Sequence, residues 1–288
     1  MENYSVLMSV YHKVDPKHFE ASIQSMVEQS VRTNDFVIVC DGPLTDELDA
    51  VLEDFCNRYP GLFNIVRLLE NVGIGRAANS GIRCCRNDLV AKMDADDLAV
   101  PTRCEHQLQL FERNPELVIA GGYIEEFDED PDTPFSVRDV PLDCDAICKY
   151  SRRRQAFNNQ TVMYRRSVVE SVGGYRDLRR SEDFDLYLRL LHSGAAAQNL
   201  PEVLVKVRVN NAAMMRRASW ETLKGCAQSR WYSFRLGYAS LVDVIICVCG
   251  EFVIWISPAR VQQFIYQHFL RKGVTNEQGT DISGAACD

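Results

Sequence analysis

Strand-like and helix-like stretches alternate four times in the first hundred residues, and few folds accept that rhythm. Tyr4 to Tyr11, Phe36 to Cys40, Phe63 to Leu69 and Leu89 to Met93 are short, apolar and rich in β-branched or aromatic residues. Between them, Lys17–Ser30 carries Phe19, Ile23, Met26 and Val27 at helical spacing, and Leu48, Val51, Leu52 and Phe55 mark a second amphipathic helix. A third helix is expected over about Arg76 to Cys85. Strands buried on both faces and joined by helices predict an α/β fold, a mostly parallel sheet flanked by helices, with ligands taken where the strands end.

Those strand ends carry the chemistry. The second strand runs into Asp41-Gly42-Pro43, and the third into Glu70-Asn71-Val72-Gly73-Ile74-Gly75. The fourth ends in Asp94-Ala95-Asp96-Asp97. Three carboxylates within four positions repel one another unless a cation sits among them, and hard oxygen ligands suit Mg2+ or Mn2+. The same acids also serve as a cap for the helix after Pro101, and the local residues leave both readings open. In the second half, Ser181-Glu182-Asp183 opens a helix through His192, with two acids at its positive end.

Charge is segregated. Residues 1–150 hold 13 Lys/Arg against 28 Asp/Glu, and residues 151–288 hold 19 against 12. An acidic half and a basic half fit a protein that keeps a cation in one place and an anionic substrate in another. Arg152-Arg153-Arg154, with Arg165, Arg166, Arg179 and Arg180, are candidates to face a diphosphate. The 11 cysteines form no CxxC pair and are expected to be reduced, mostly buried thiols. Met1-Glu2-Asn3 lacks the basic start of a secretory signal. Beyond Met214 the pattern is helical. Leu241–Ile256 is strongly apolar but has 16 residues including Asp243 and Glu251, too short and too charged for a simple span. A last helix after Ser257-Pro258 places Val261, Phe264, Ile265 and Phe269 on one face and ends in Arg271-Lys272. It suits either an anionic membrane surface or packing on the domain.

Taken in order, these pieces resemble the GT-A-fold glycosyltransferases of family 2, in particular the bacterial enzymes of capsule, exopolysaccharide and O-antigen synthesis. The matching residues are Ser5 to Tyr11, Ala21 to Gln29, Val39 to Pro43, Asn71 to Gly81, and Met93 to Asp97 with Pro101 and Arg103. In the second half they are Thr161 to Arg165, Gly173-Gly174-Tyr175, and Glu182 to Leu191. The resemblance spans roughly residues 4–210. It implies a GT-A domain over 1–210, with a nucleotide-sugar half to about 100 and an acceptor half from 101. A helical extension over 211–272 and a disordered tail over 273–288 complete the expected layout.

The resemblance further implies an inverting, metal-dependent hexosyltransferase that uses a UDP-sugar, galactose or glucose. It carries the nucleotide-sugar contacts onto Ser9, Val10, Tyr11, Asp41, Asn71, Gly73, Arg76, Asn79, Asp94, Ala95 and Asp96. Asp41 would accept from the uracil ring, and Asp96 with Asp94 would hold Mn2+ or Mg2+. Asp183 would be the general base, with Glu182 orienting it or the acceptor. The implied acceptor is a saccharide on undecaprenyl diphosphate, which places the protein in the cytoplasm, peripheral at the inner membrane, with no nucleic-acid partner. Asn158-Asn159-Gln160 stands where relatives often have Asn-His, and no Gln-x-x-Arg-Trp motif appears, which points to addition of a single sugar. Rival readings are a nucleotidyltransferase, a non-catalytic nucleotide-sugar binder of the same fold, and a dinucleotide-binding oxidoreductase. The last is poorly served, because Gly73-Ile74-Gly75 and Gly81 miss the GxGxxG spacing.

Overall fold

The computed structural model describes residues 2–178, 180–209, 219–258, 261–262 and 272–273. The expected alternation is present: β1 (Tyr4–Val10), α1 (Pro16–Val27), β2 (Asp35–Cys40), α2 (Asp46–Arg58), β3 (Phe63–Arg67), α3 (Ile74–Ile82) and β4 (Leu89–Asp94). Local chemistry sets the helix starts. Asp15 accepts the amides of Lys17 and His18 ahead of Pro16, and Thr45 accepts that of Leu48 ahead of three acids in the first turn of α2. β3, β2, β1 and β4 lie side by side and parallel, with Ser9 level with both Val39 and Asp94. The carboxyl ends of β1, β2 and β4 therefore share one rim.

The chain continues through β5 (Leu98–Ala99), α4 (Arg103–Arg113), β6 (Leu117–Phe127), β7 (Ser136–Arg138), α5 (Cys144–Ser151), β8 (Met163–Arg165), α6 (Arg166–Ser171), α7 (Glu182–His192) and β9 (Ala196–Arg208). β8 runs antiparallel between β4 and β6, so the second half of the sheet is mixed. Two helices follow, α8 (Trp220–Arg235) and α9 (Leu241–Ile256), and β10 (Lys272–Gly273) pairs with β7 at the sheet edge. The sheet separates two cores. Phe19, Ile23, Leu52, Phe55 and Phe111 fill one, under α1, α2 and α4. Ala77, Ala78, Ile147, Val169, Leu186 and Leu190 fill the other, under α3, α5, α6 and α7.

Several expectations shift. The acidic stretch 128–139 contains β7, too short to show alternation, fastened by Ser136 Oγ to Glu126 Oε2 at 2.7 Å. β9 runs through Pro201, which register shifts against Gly122 and Tyr123 absorb. Gln160 and Thr161 belong to a 3-10 turn ahead of β8. Of ten described cysteines, Cys40, Cys85 and Cys104 are buried, Cys249 is exposed and the others are half-buried. Phe264, Ile265, Phe269 and most of the expected tail lie outside the described residues.

α3 rests on the sheet through Gly81. A Cβ there would stand 2.3 Å from Leu7 Cδ1 and 2.7 Å from Val39 Cγ2, both on fully buried side chains. Gly81→Ala gains about 1 kcal/mol of helix propensity. Overpacking against two immobile neighbours costs about 1–3 kcal/mol and wins. A lower urea midpoint, measured by circular dichroism, is the expected outcome.

Candidate active site

The acidic loop after β4 is held from two sides. From α1, Ser22 Oγ donates to the Asp94 carbonyl at 2.8 Å, Ser25 Oγ accepts the Ala99 amide at 3.1 Å, and Gln29 bonds the Val100 carbonyl and the Cys104 amide at 2.8 and 2.9 Å. These three residues recur at i, i+3 and i+7, one polar stripe along the helix. From α4, the fully buried Arg103 donates through Nη2 to the Lys92 carbonyl at 2.6 Å. Within the loop, Ala95 packs its methyl into the core, which leaves only its backbone to offer a ligand. Asp97 is buried and accepts the Arg208 amide at 2.9 Å. Asp94 is half-buried and Asp96 exposed. Lys92, buried in an otherwise apolar strand, places Nζ 3.7 Å from Asp94 Oδ1.

Next to this loop stands Asp41, whose amide donates to the Val10 carbonyl at 2.8 Å. Its buried carboxylate accepts the amides of Val72 at 2.7 Å and Gly73 at 3.1 Å, while Asn71 Nδ2 donates to its carbonyl at 3.1 Å. Asp41 thus holds the Asn71–Gly73 loop against the end of β2, a role the sequence did not suggest. Gly42 fits the same contact: its φ is +89°, and a Cβ would meet Asn71 N at 2.9 Å. A carboxylate has lone pairs beyond two hydrogen bonds, so Asp41 retains acceptor capacity toward a base.

The start of α7 closes the site. Ser181 sits at φ 65°, a left-handed conformation that costs a non-glycine residue about 1–3 kcal/mol. Glu182 packs on α3, its Cβ and Cγ each 3.4 Å from where a Cβ on Gly75 would stand. Asp183 accepts Gln155 Nε2 at 3.0 Å and its neighbour's amide, Phe184 N, at 2.7 Å. Burial pushes the Glu182 carboxyl up to about 7, helped by the negative charge of Asp183. Burial also raises Asp183, against the Phe184 amide and the charge of Lys92, while Asp94 adds to the rise. The charge of Asp94 at the end of β4 thus acts on Asp183 at the start of α7.

Ser9, Val10, Tyr11, Asp41, Asn71, Gly73, Asp94, Ala95 and Asp96 all stand on this rim or on the loop Asp41 holds. Arg76, exposed, pairs with Asp177 at 2.5 Å and so bridges the start of α3 to the segment before α7. Asn79 uses both ends of its amide on the backbone of Tyr175, at 2.7 and 2.8 Å. Gly174 is shaped for that contact, since a Cβ there would stand 2.5 Å from Asn79 Oδ1. Arg165 and Arg166 depart from expectation. Because β8 is antiparallel to β4, they lie level with Leu89 and Asp88, at the opposite end from Asp94, and bond Leu117 and Cys85 carbonyls. Arg152, Arg153 and Arg154 are exposed beside Gln155, Arg180 is exposed, and Arg179 lies outside the described residues. Lys92 and Gln155 were missed. A lysine inside the run Val90 to Met93 was a usable signal, while Gln155 carried none.

Asp94 and Asp96 offer hard carboxylate oxygens from one short loop. Among the described residues, no group of three or more His, Cys, Asp or Glu side chains is placed to hold a metal ion. The pair Asp94 and Asp96 fits Mg2+ or Mn2+, which take one or two carboxylates and complete their shell with water and substrate phosphates. Two other concavities, one beside Asp143 and Gln198 and one between Trp220 and Phe252, share no residue with this rim.

Comparison with known proteins identifies the family and the fold. The profile of the family described as "Glycosyl transferase family 2" matches residues 5–173. The amylovoran biosynthesis glycosyltransferase AmsE of Erwinia amylovora is 32% identical over 92% of this chain and 98% of its own length. The UDP-Gal:alpha-D-GlcNAc-diphosphoundecaprenol beta-1,3-galactosyltransferase of Escherichia coli is 29% identical over 93% of this chain and 97% of its own. Among solved structures, S. aureus TarS 1-349 in complex with UDP-GlcNAc superposes with a TM-score of 0.67 at 14% identity, covering 91% of this chain and 78% of that one. This likeness shows a shared GT-A fold.

The grip of Asp41 on its loop is directly testable. In Asp41→Ala two amides lose their acceptor, at about 1–3 kcal/mol for buried groups left unpaired. The expected result is a lower urea midpoint together with faster hydrogen exchange at Val72 and Gly73, read by amide NMR.

Proposed function

This chain belongs to glycosyl transferase family 2, and on that premise we propose that it moves a hexose, galactose or glucose, from a UDP-sugar to a saccharide carried on a lipid diphosphate, with inversion. The observation that carries this reading is the half-buried carboxylate of Asp183, held by Gln155 and acted on by the charge of Asp94 at the end of β4. Ser9 to Tyr11 and Asp41 line the base pocket, and the Asn71–Gly73 loop is kept in place beside it. Asp94 and Asp96 would hold Mg2+ or Mn2+, which would supply positive charge to offset the charge growing on the departing diphosphate. Asp183 takes the proton of the acceptor hydroxyl while that oxygen forms its bond to the anomeric carbon. The bond to UDP breaks on the opposite face, so an α-linked donor gives a β-linked product. Gln155, donating to Asp183, fixes the direction in which that carboxylate points.

Support for the acceptor comes from two sides. The E. coli relative is named for a diphosphoundecaprenol acceptor, and Arg152 to Arg154 precede the residue that binds Asp183. Guanidinium groups pair well with phosphate oxygens. Support for a membrane surface comes from α9. No helix of the described residues is long and apolar enough to cross a membrane, yet Val242, Ile245, Val253 and Ile256 are each at least half exposed. A contiguous apolar face of this kind marks an interaction surface, and bacterial surface polysaccharide synthesis on a lipid carrier would place it against the cytoplasmic side of the inner membrane.

The deciding experiment is a donor screen with purified protein and Mn2+, reading UDP release with a lipid-diphosphate GlcNAc or GalNAc acceptor. UDP-galactose or UDP-glucose should give product, and chelation should remove it. Asp183→Asn should lower kcat about a hundredfold to ten-thousandfold, the usual worth of a general base, while leaving UDP binding intact. A nucleotide-sugar binder without catalysis would show binding and no turnover in either form.

A pH profile gives a second test. The base must be ionised, and burial raises both members of the Glu182–Asp183 pair, Glu182 to about 7. kcat/KM is expected to fall on the acid side, with its limb displaced above the ordinary carboxylate range, and to level off once the base is ionised. For the membrane surface, Ile245→Glu with Val253→Glu should release the protein from vesicles containing anionic lipid in a flotation assay, while the wild type floats.

A further inference from the structure

The segment from Gln155 to Asn159 runs along the first turn of α7 and touches it twice, at the same offset of 28 residues. Gln155 Nε2 donates to Asp183 Oδ2 at 3.0 Å, and one helical turn on the Tyr187 hydroxyl donates to Asn159 Oδ1 at 2.7 Å. Residues four apart on a helix share a face, and helical side chains lean back toward the N-terminus. The Tyr187 phenol therefore leans toward the turn that carries Asp183. Little freedom is left to it: Tyr187 is 2% exposed, and the Phe157 ring meets it edge-on with centroids 5.3 Å apart. Ala156, Phe157 and Asn158 are fully buried, whereas Asn159 and Gln160 are half-buried, so the chain comes to the surface at Asn159.

Sheet register places this turn. β8 pairs with β4 through Met163 and Ala91, and the Lys92 amide donates to the Val162 carbonyl at 2.8 Å. The residues before Val162 thus stand at the Asp94 end of β4. The strand order is β6-β8-β4-β1-β2-β3, so they lie across β4 from the loops after β1, β2 and β3. Those loops carry Tyr11, Asp41 and Asn71, the residues proposed to contact the nucleotide. Asn159 is on the other side, with Gln155 and Asp183, where an acceptor would approach the base.

A side-chain amide has one acceptor oxygen and two donor hydrogens. With Oδ1 turned to the phenol, Nδ2 is turned away from it, and Nδ2 meets no acceptor among the described residues. An uncharged N–H at a half-open rim suits a hydroxyl oxygen. We propose that Asn159 is a specificity-determining residue of this site: its Nδ2 donates to a hydroxyl of the acceptor sugar beside the one that Asp183 deprotonates, and Tyr187 is the positioning residue that sets the direction of the amide. The placement of Asn159 stands on the sheet register and the Tyr187 contact. That its ligand is an acceptor sugar rests on the transfer reaction proposed above.

The test uses the full-length protein with GlcNAc and GalNAc on a shortened, water-soluble lipid diphosphate, and each monodeoxy form of those sugars. Binding is read by titration calorimetry with UDP and Mn2+ present, and turnover as UDP release. The wild type should lose about three- to tenfold in affinity for one monodeoxy form, the worth of one uncharged hydrogen bond. Asn159→Ala should lose the same factor with the full sugar and nothing further with that monodeoxy form, because the two partners belong to one contact. Tyr187→Phe, which frees the amide to turn, should lose less than Asn159→Ala and raise the acceptor KM while the donor KM stays. Equal further losses on the monodeoxy sugar in wild type and Asn159→Ala overturn the proposal. So does an altered UDP affinity or donor KM in Asn159→Ala with acceptor binding unmoved, and so does a wild type that binds none of these sugars. Should Tyr187→Phe fail to fold, the Asn159→Ala comparison decides alone. The expected binding pattern without turnover of any donor would support the role of Asn159 and sink the transferase reading.

Discussion

A guanidinium sealed from solvent lies beneath the strand that carries the acidic loop, and the site depends on it. Arg103 bonds the Lys92 carbonyl at 2.6 Å and Gln107 Oε1 at 3.2 Å, with the Met93 sulfur at 3.3 Å. Burial works against its charge, and Asp94 and Asp97 work in its favour. A buried cation of this kind costs several kcal/mol unless its hydrogens find acceptors. Any shift of β4 would break those bonds and expose that cost. The last residues of β4 are therefore fixed by a penalty on moving, and the stitches from Ser22, Ser25 and Gln29 fix the loop that follows. Placing hard carboxylates within reach of a diphosphate requires such rigidity, because a loop this acidic would otherwise spread to relieve its own repulsion.

The same logic of mutual restraint runs across the rim. Asp41 spends two hydrogen bonds on the Asn71–Gly73 loop, and that loop leads directly into α3. α3 in turn presents Gly75 to Glu182 and Asn79 to Tyr175, on either side of the left-handed Ser181. Asp41 is thus linked to the start of α7 through one short helix between them. The strained Ser181 backbone is compatible with this picture: the contacts on both sides over-determine it.

The parallel half of the sheet was legible because its strands are apolar throughout and its helices carry clean 3.6-residue stripes. The helix from Glu182 to His192 was legible for the same reason. What escaped were elements whose identity is decided by their partners. β7 and β5 have two or three residues and exist only because β6 and β9 supply hydrogen bonds. Pro201 sits inside β9, where a register shift against β6 absorbs it. At the site, carboxylates clustered in sequence could be picked out, but not the second function of Asp41 or the commitment of Asn79. Both are contacts over thirty or more residues, which no local pattern encodes. Arg165 and Arg166 were misplaced because their position depends on the direction of β8, and a three-residue strand does not announce its direction. Lys92 was the exception, visible all along as a charge in a buried run.

One side chain ties the catalytic half to the helices beyond it. Arg230 of α8 lies over the Phe184 ring at 3.8 Å, next to Asp183 in the chain. The same guanidinium donates to the carbonyls of Ser151, Arg152 and Arg153 at 2.8–3.1 Å. Arg153 continues outward to Asp243 of α9. The basic run, the start of α7 and the apolar face of α9 are thus joined through Arg230 and Arg153 rather than merely adjacent, so a shift of either C-terminal helix would break buried hydrogen bonds at the residues that precede Gln155.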